Sequence, residues 1–126
     1  MTAAELGAAW VITPELIICG YSFADTIGTE WILPQPDPWM TALCRLVTQL
    51  RVTVFLSHPE RDRQSNRLHN SLFVTASDGT ILGKHRKINV LKVGSESWSS
   101  RWRTDRADRS SPSQQCRTVA VRMRIR

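Results

Sequence analysis

SLFVTASDGTILGKHRK, residues 71–87, is the stretch whose reading decides the fold. Two β-prone runs flank Asp78-Gly79, which suits a type I′ hairpin turn with positive φ at both central residues. The first run, Ser71 to Ala76, and the return strand, Thr80 to Lys87, then form an antiparallel pair. Strict alternation puts Ile81, Gly83, His85 and Lys87 on one face and Leu82, Lys84 and Arg86 on the other. Lys87 thus ends a strand where its ammonium can enter a site, while Lys84 and Arg86 meet different surroundings.

Upstream of the hairpin, a polar segment from His58 to Arg67 separates it from Val52-Thr53-Val54-Phe55-Leu56, a strand apolar enough for burial on both faces. Before that strand, Asp37-Pro38 carries a helix start, with Asp as N-cap and proline in the first turn. Met40, Leu43, Leu46, Val47 and Leu50 follow at helical spacing as one apolar stripe ending near Arg51. Trp10-Val11-Ile12-Thr13 is strand-like and stops at Pro14, which cannot donate to a ladder. Leu16 to Cys19 runs into Gly20, and the stretch to Pro36 is a long loop of the kind that often carries function. Residues 2 to 8 are Ala-rich and suit the last turns of a helix. Trp31 and Trp39 are expected to pack near the long loop. Helix, strand and hairpin make an α/β chain.

Beyond Ser99 the composition changes. Residues 1–99 form the body and residues 100–126 an Arg-rich, irregular tail. The 126-residue chain has a net charge of +6, but the body balances nine Lys/Arg with nine Asp/Glu. Eight arginines against Asp105 and Asp108 make the tail the source of the excess. With no regular element to present those arginines, or Trp98 and Trp102, the tail is expected to be solvated rather than to recognise a specific nucleic acid. Residues 118 to 125 regain some alternation, with Val119, Val121, Met123 and Ile125 on one side. Cys19, Cys44 and Cys116 are odd in number and widely spaced, fitting neither a disulfide framework nor a zinc site. That favours a reducing, cytoplasmic setting. The uncharged runs are too short and polar to span a bilayer, so no membrane partner is expected.

Glu15, after Pro14, and Lys87 are charges of opposite sign at two strand ends. Covalent cleavage of an amide or nitrile carbon–nitrogen bond needs a nucleophile, a base to activate it and a cation for the developing negative charge. A carboxylate can take a thiol's proton, and an ammonium can stabilise the oxyanion, if these two ends meet. Glu96 is a further carboxylate placed to orient Lys87 or a substrate amine. Taken separately, Glu15 reads as a solvated loop carboxylate and Lys87 as an ordinary strand-end cation. Their occurrence together with Glu96 favours the site. His58, His69 and His85 lack metal-ligand spacing and are read as structural.

The succession Trp10 to Tyr21, then His58-Pro59-Glu60-Arg61, then Asn70-Ser71 with Asp78 to Ile88, then Glu96 and Trp98, resembles the carbon-nitrogen hydrolase family of nitrilases and aliphatic amidases. The resemblance covers residues 4 to about 99. It implies part of a four-layer α-β-β-α sandwich, often paired into dimers or larger assemblies. It further implies Glu15 as general base, Lys87 as oxyanion-stabilising lysine and Glu96 as supporting carboxylate. Glu60 matches a glutamate before the hairpin whose role is less defined. The substrate would be a small amide, nitrile or carbamoyl compound, with no metal or organic cofactor.

Two departures accompany the likeness. The family's first strand and most of a helix precede the segment matched by Trp10 to Tyr21, and here only Ala3 to Ala9 stand in their place. The family's nucleophilic cysteine ends an apolar strand, whereas Cys116 sits among Gln114, Gln115, Arg117 and Thr118. Cys116 is therefore not expected to be the nucleophile, and Cys19 is expected to be a small core residue. The chain reads as a fragment, inactive alone, with residues from about 100 onward either disordered or arising from a shifted reading frame. A noncatalytic association module built on exposed strand edges, or a polyanion binder acting through the basic tail, is the alternative.

Overall fold

The computed structural model describes residues 2–91 and 94–100. Its sheet has the order β1-β2-β3-β4, from β1 (Trp10–Ile12), β2 (Thr53–Arg61), β3 (Leu68–Thr75) and β4 (Ile81–Arg86). β1 runs parallel to β2, and the remaining pairs are antiparallel. A parallel pair needs a long crossover, which here contains α1 (Phe23–Thr26) and α2 (Pro38–Leu50). A short 3-10 turn, Gly94–Glu96, follows β4. Residues 2–8 are hydrogen-bonded turns, with Ala8 N–H bonded to the Ala3 carbonyl, instead of the expected helix end.

α2 forms where its signals place it. Asp37 accepts a hydrogen bond from the Met40 amide at 2.8 Å, and Pro38 opens the first turn. Arg51 closes the helix in the left-handed conformation with φ +53. The buried stripe is rotated from the expected one, because Met40 and Val47 face the sheet with Leu43 and Cys44 while Leu46 and Leu50 are exposed. Val52, Val54, Leu56 and Phe73 complete that core.

β2 is longer than expected, continuing through His58, Pro59 and Glu60 to Arg61, residues whose polarity suggests a connection. Eight cross-strand pairs with β3, from Val54–Thr75 to Arg61–Leu68, hold this extension in place. The hairpin also differs: Gly79 has φ +85, whereas Asp78 is not in the left-handed region. The turn closes with Gly79 N–H to Ala76 O and Ala76 N–H to Thr80 O, a three-residue loop ending in a left-handed glycine. Gly79 lies against α2, where an added Cβ would fall 2.4 Å from Thr48 Oγ1.

A bulge corrects the face assignment on β4. Thr75 pairs with Ile81 but Val74 with Gly83, leaving Leu82 as the extra residue. Ile81 consequently shares the α2-facing side with Lys84 and Arg86, while Gly83, His85 and Lys87 keep the other side. That other side has no covering layer among the described residues, and Ile12, Trp10 and Leu72 are exposed on it. A second cluster, Leu16, Phe23 and Ile32, sits under the long loop with Trp31, Cys19 and Trp98 packed on it. Trp31 thus packs as expected, and Trp39 lies against His58.

Candidate active site

Glu15 is placed by a turn tied to β2. Thr13 N–H donates to Phe55 O at 3.0 Å, and Leu16 N–H donates to Ser57 Oγ at 2.9 Å. Leu16 has φ +53, costly for a branched side chain, and is held there with its side chain fully buried. This sharp corner turns the Glu15 carboxylate towards the open face of the sheet near β3. Lys87 arrives from the end of β4, where its N–H donates to Asn70 O at 2.8 Å. Glu96 comes from the 3-10 turn, its carboxylate also accepting from the Leu91 amide at 3.1 Å.

The three side chains converge. Lys87 Nζ lies 2.7 Å from Glu15 Oε1 and also donates to Glu96 Oε1. Asn70 joins them, its Nδ2 donating to Glu15 Oε1 at 2.6 Å and reaching Glu96 Oε1 at 3.5 Å. Tyr21 Oη donates to the other Glu15 oxygen at 3.3 Å. Next to this group is an open cleft of about 520 Å³ lined by Thr13, Glu15, Ser57, Asn70, His85 and Lys87, among others.

The electrostatics favour the charged forms of Lys87 and Glu96. Burial works against the Lys87 ammonium, but the Glu15 and Glu96 carboxylates outweigh it and raise its pKa. Burial likewise works against ionised Glu96, yet Lys87 and the Leu91 amide hold its pKa below the usual carboxylate value. The Glu15 carboxylate beside Tyr21 raises the phenol's pKa. The result is a fixed cation between two carboxylates at the edge of a cleft, an arrangement suited to proton transfer and to stabilising an oxyanion.

Asn70 is the residue that sequence reasoning passed over. It stood inside the Asn70-Ser71 motif, but its carboxamide link became visible only once β3 and β4 were paired. Behind the sheet, Glu60 accepts hydrogen bonds from Ser71 Oγ at 3.0 Å, Lys84 Nζ and Arg86 Nε. Arg86 Nη2 also binds Asp62 Oδ2 at 2.6 Å. Burial opposes the Asp62 charge, but hydrogen bonds from Ser65 and Arg86 hold its carboxyl well below the usual range. Breaking such a buried pair from one side leaves an uncompensated charge, at a typical cost of about 3–5 kcal/mol.

Cys19 donates weakly to Leu16 O, and burial raises its thiol pKa. Neither Cys19 nor Cys44 lines the cleft. Cys116 and the rest of residues 101–126 lie outside the described residues. Among the described residues, no group of three His, Cys, Asp or Glu side chains is arranged to hold a metal ion, and no helix is long and apolar enough to cross a membrane.

Comparison with known proteins gives the class. The family model for carbon-nitrogen hydrolase matches residues 1–121, and the chain belongs to that family. A carbon-nitrogen hydrolase from Helicobacter pylori G27 superposes with TM-score 0.60 at 22% identity, covering 79% of this chain and 35% of its own. An amidase from Nesterenkonia sp. gives TM-score 0.62 at 19% identity, covering 80% and 38%. An N-terminal amidase gives TM-score 0.59 at 20% identity, covering 74% and 21%. At these identities the likeness establishes the fold, part of the nitrilase-type α/β sandwich. The chain spans only about a fifth to two fifths of these proteins' lengths. No curated protein matches the sequence.

Proposed function

We propose that this chain carries the base and cation of a hydrolase acting on non-peptide carbon–nitrogen bonds. In this reading a cysteine thiol gives its proton to Glu15, and the thiolate attacks the carbonyl or nitrile carbon. Lys87 faces the resulting negative charge, and Glu96 holds Lys87 in position. For an amide, the intermediate collapses by breaking the carbon–nitrogen bond as Glu15 returns the proton to the leaving nitrogen. Water then hydrolyses the thioester to acid and free thiol.

The observation that carries this reading is the 2.7 Å contact between Glu15 and Lys87, side chains 72 positions apart in sequence, at the rim of a cleft. Support comes from relatives of the same fold described as amidases, one of them showing covalent addition of an acetamide moiety at an active-site cysteine. The nucleophile lies outside the described residues in this proposal, and Cys116 does not serve as one. The 126-residue chain is therefore expected to release no ammonia from simple amides or nitriles. It is still expected to bind acetamide weakly at the cleft, with shifts in the Asn70 side-chain NMR signals that Lys87→Met abolishes. Turnover eliminated by Cys116→Ala would contradict the missing nucleophile, and acetamide shifts indifferent to Lys87→Met would contradict the site.

A second reading, association with another chain, draws on the sheet face bearing Ile12, Trp10 and Leu72, which is uncovered among the described residues. Light scattering separates the two. A defined oligomer favours an association module, and heterogeneous aggregates favour an incomplete enzyme.

A further inference from the structure

Glu60 does not itself line the cleft, but its partner Ser71 does, and its partners Ser71 and Arg86 stand beside Asn70 and Lys87 in sequence. Ser71, bonded to one Glu60 oxygen, follows Asn70, and Arg86, bonded to the same oxygen, precedes Lys87. Ser71 and Arg86 are cross-strand partners, and the next link is the hydrogen bond from Lys87 N–H to Asn70 O. Successive strand residues face opposite sides, so holding Ser71 and Arg86 from behind fixes where Asn70 and Lys87 emerge in front. We infer that Glu60, on β2, is a positioning residue that sets the Asn70 carboxamide and the Lys87 ammonium against Glu15 by clamping β3 and β4 from the buried face.

The charge balance says how the clamp acts. Glu60 and Asp62 are offset by Lys84 and Arg86, so the cluster is neutral and exerts little net field across the sheet. Its influence on Lys87 runs through geometry. Glu60 and Arg86 are both buried, and Asp62 holds the far end of the guanidinium at 2.6 Å, so the clamp has little freedom to relax. A site that stabilises developing charge depends on such support, because small displacements of the donor weaken its effect.

The inference rests on the proposed role of Lys87, but its test reads positions without turnover, so the two can fail separately. In the 126-residue chain, NMR would measure hydrogen exchange of the Lys87 ammonium and Asn70 carboxamide, with the backbone amides of α2 as reference. Glu60→Asp keeps the charge and withdraws the carboxylate by one methylene. It should speed exchange at both side chains by about tenfold, the loss of a charge-assisted hydrogen bond. Ser71→Ala, a milder change, should speed Asn70 exchange about fivefold, the equivalent of one ordinary hydrogen bond, with α2 protection retained. Wild-type exchange at Asn70 and Lys87 in both variants would overturn the inference. So would an equal loss across α2 and the site in Ser71→Ala, which would mark Glu60 as general support for the fold.

Discussion

At the scale of single residues, Tyr21 provides a direct probe of Glu15, because it is the only tyrosine in the chain. The neighbouring carboxylate raises its pKa, so its ultraviolet titration should lie above the ordinary midpoint of about 10. Glu15→Gln should bring it back down, and a midpoint unmoved by that substitution would separate the two side chains. Asn70 is buried and donates to Glu15 at 2.6 Å. Asn70→Ala should therefore cost about 1.5–3 kcal/mol in urea denaturation, the usual range for losing a hydrogen bond to a charged group. The meeting of Glu15, Lys87 and Glu96 was legible only from their joint occurrence, since taken separately each reads as an ordinary charge. Asn70 was not, since an asparagine before a serine in a strand has no chemistry until its partners are known. The buried cluster of Glu60, Asp62 and Arg86 was hidden for a different reason: charges in sequence read as solvated, and only pairing shows them compensated.

At the scale of elements, the helix and hairpin were legible and the exact faces were not. The Asp37-Pro38 start and the Asp78-Gly79 turn are local signals, governed by a few adjacent residues. The bulge at Leu82 and the continuation of β2 through Pro59 depend on the neighbouring strand, and nothing local announces them. One extra residue transferred Ile81 to the side of Lys84 and Arg86. The close approach of hairpin to helix has a consequence of its own. Gly79→Ala would require a Cβ 2.8 Å from the Cys44 carbonyl at a backbone angle suited to glycine. It should destabilise by about 1–3 kcal/mol, the cost of overpacking and strain together, measured as a lowered urea midpoint. Met40→Ala, which empties the centre of the α2 contact, should cost about 2–5 kcal/mol by the same measurement.

For the whole molecule, charge pairing makes stability depend on pH in a defined direction. Asp62 and Glu96 have lowered pKa values, so the unfolded chain binds their protons more readily than the folded one. Their contribution is complete above the unperturbed carboxylate value of about 4 and is lost as pH falls towards their lowered folded values. Lys87, raised, contributes fully below its unperturbed value of about 10.4 and loses this as pH rises through its folded value. Asp62→Asn should flatten the acid side of a plot of urea midpoint against pH, and an unchanged slope would count against the buried pair. A two-layer piece of sandwich brings Glu15, Lys87 and Glu96 to one point. Titration of the Lys87 side chain by NMR tests it most directly, in the wild type and in Glu15→Gln and Glu96→Gln. The midpoint should lie above that of an ordinary lysine and fall with either substitution, whereas an ordinary midpoint unaffected by both would mean that the three side chains do not meet.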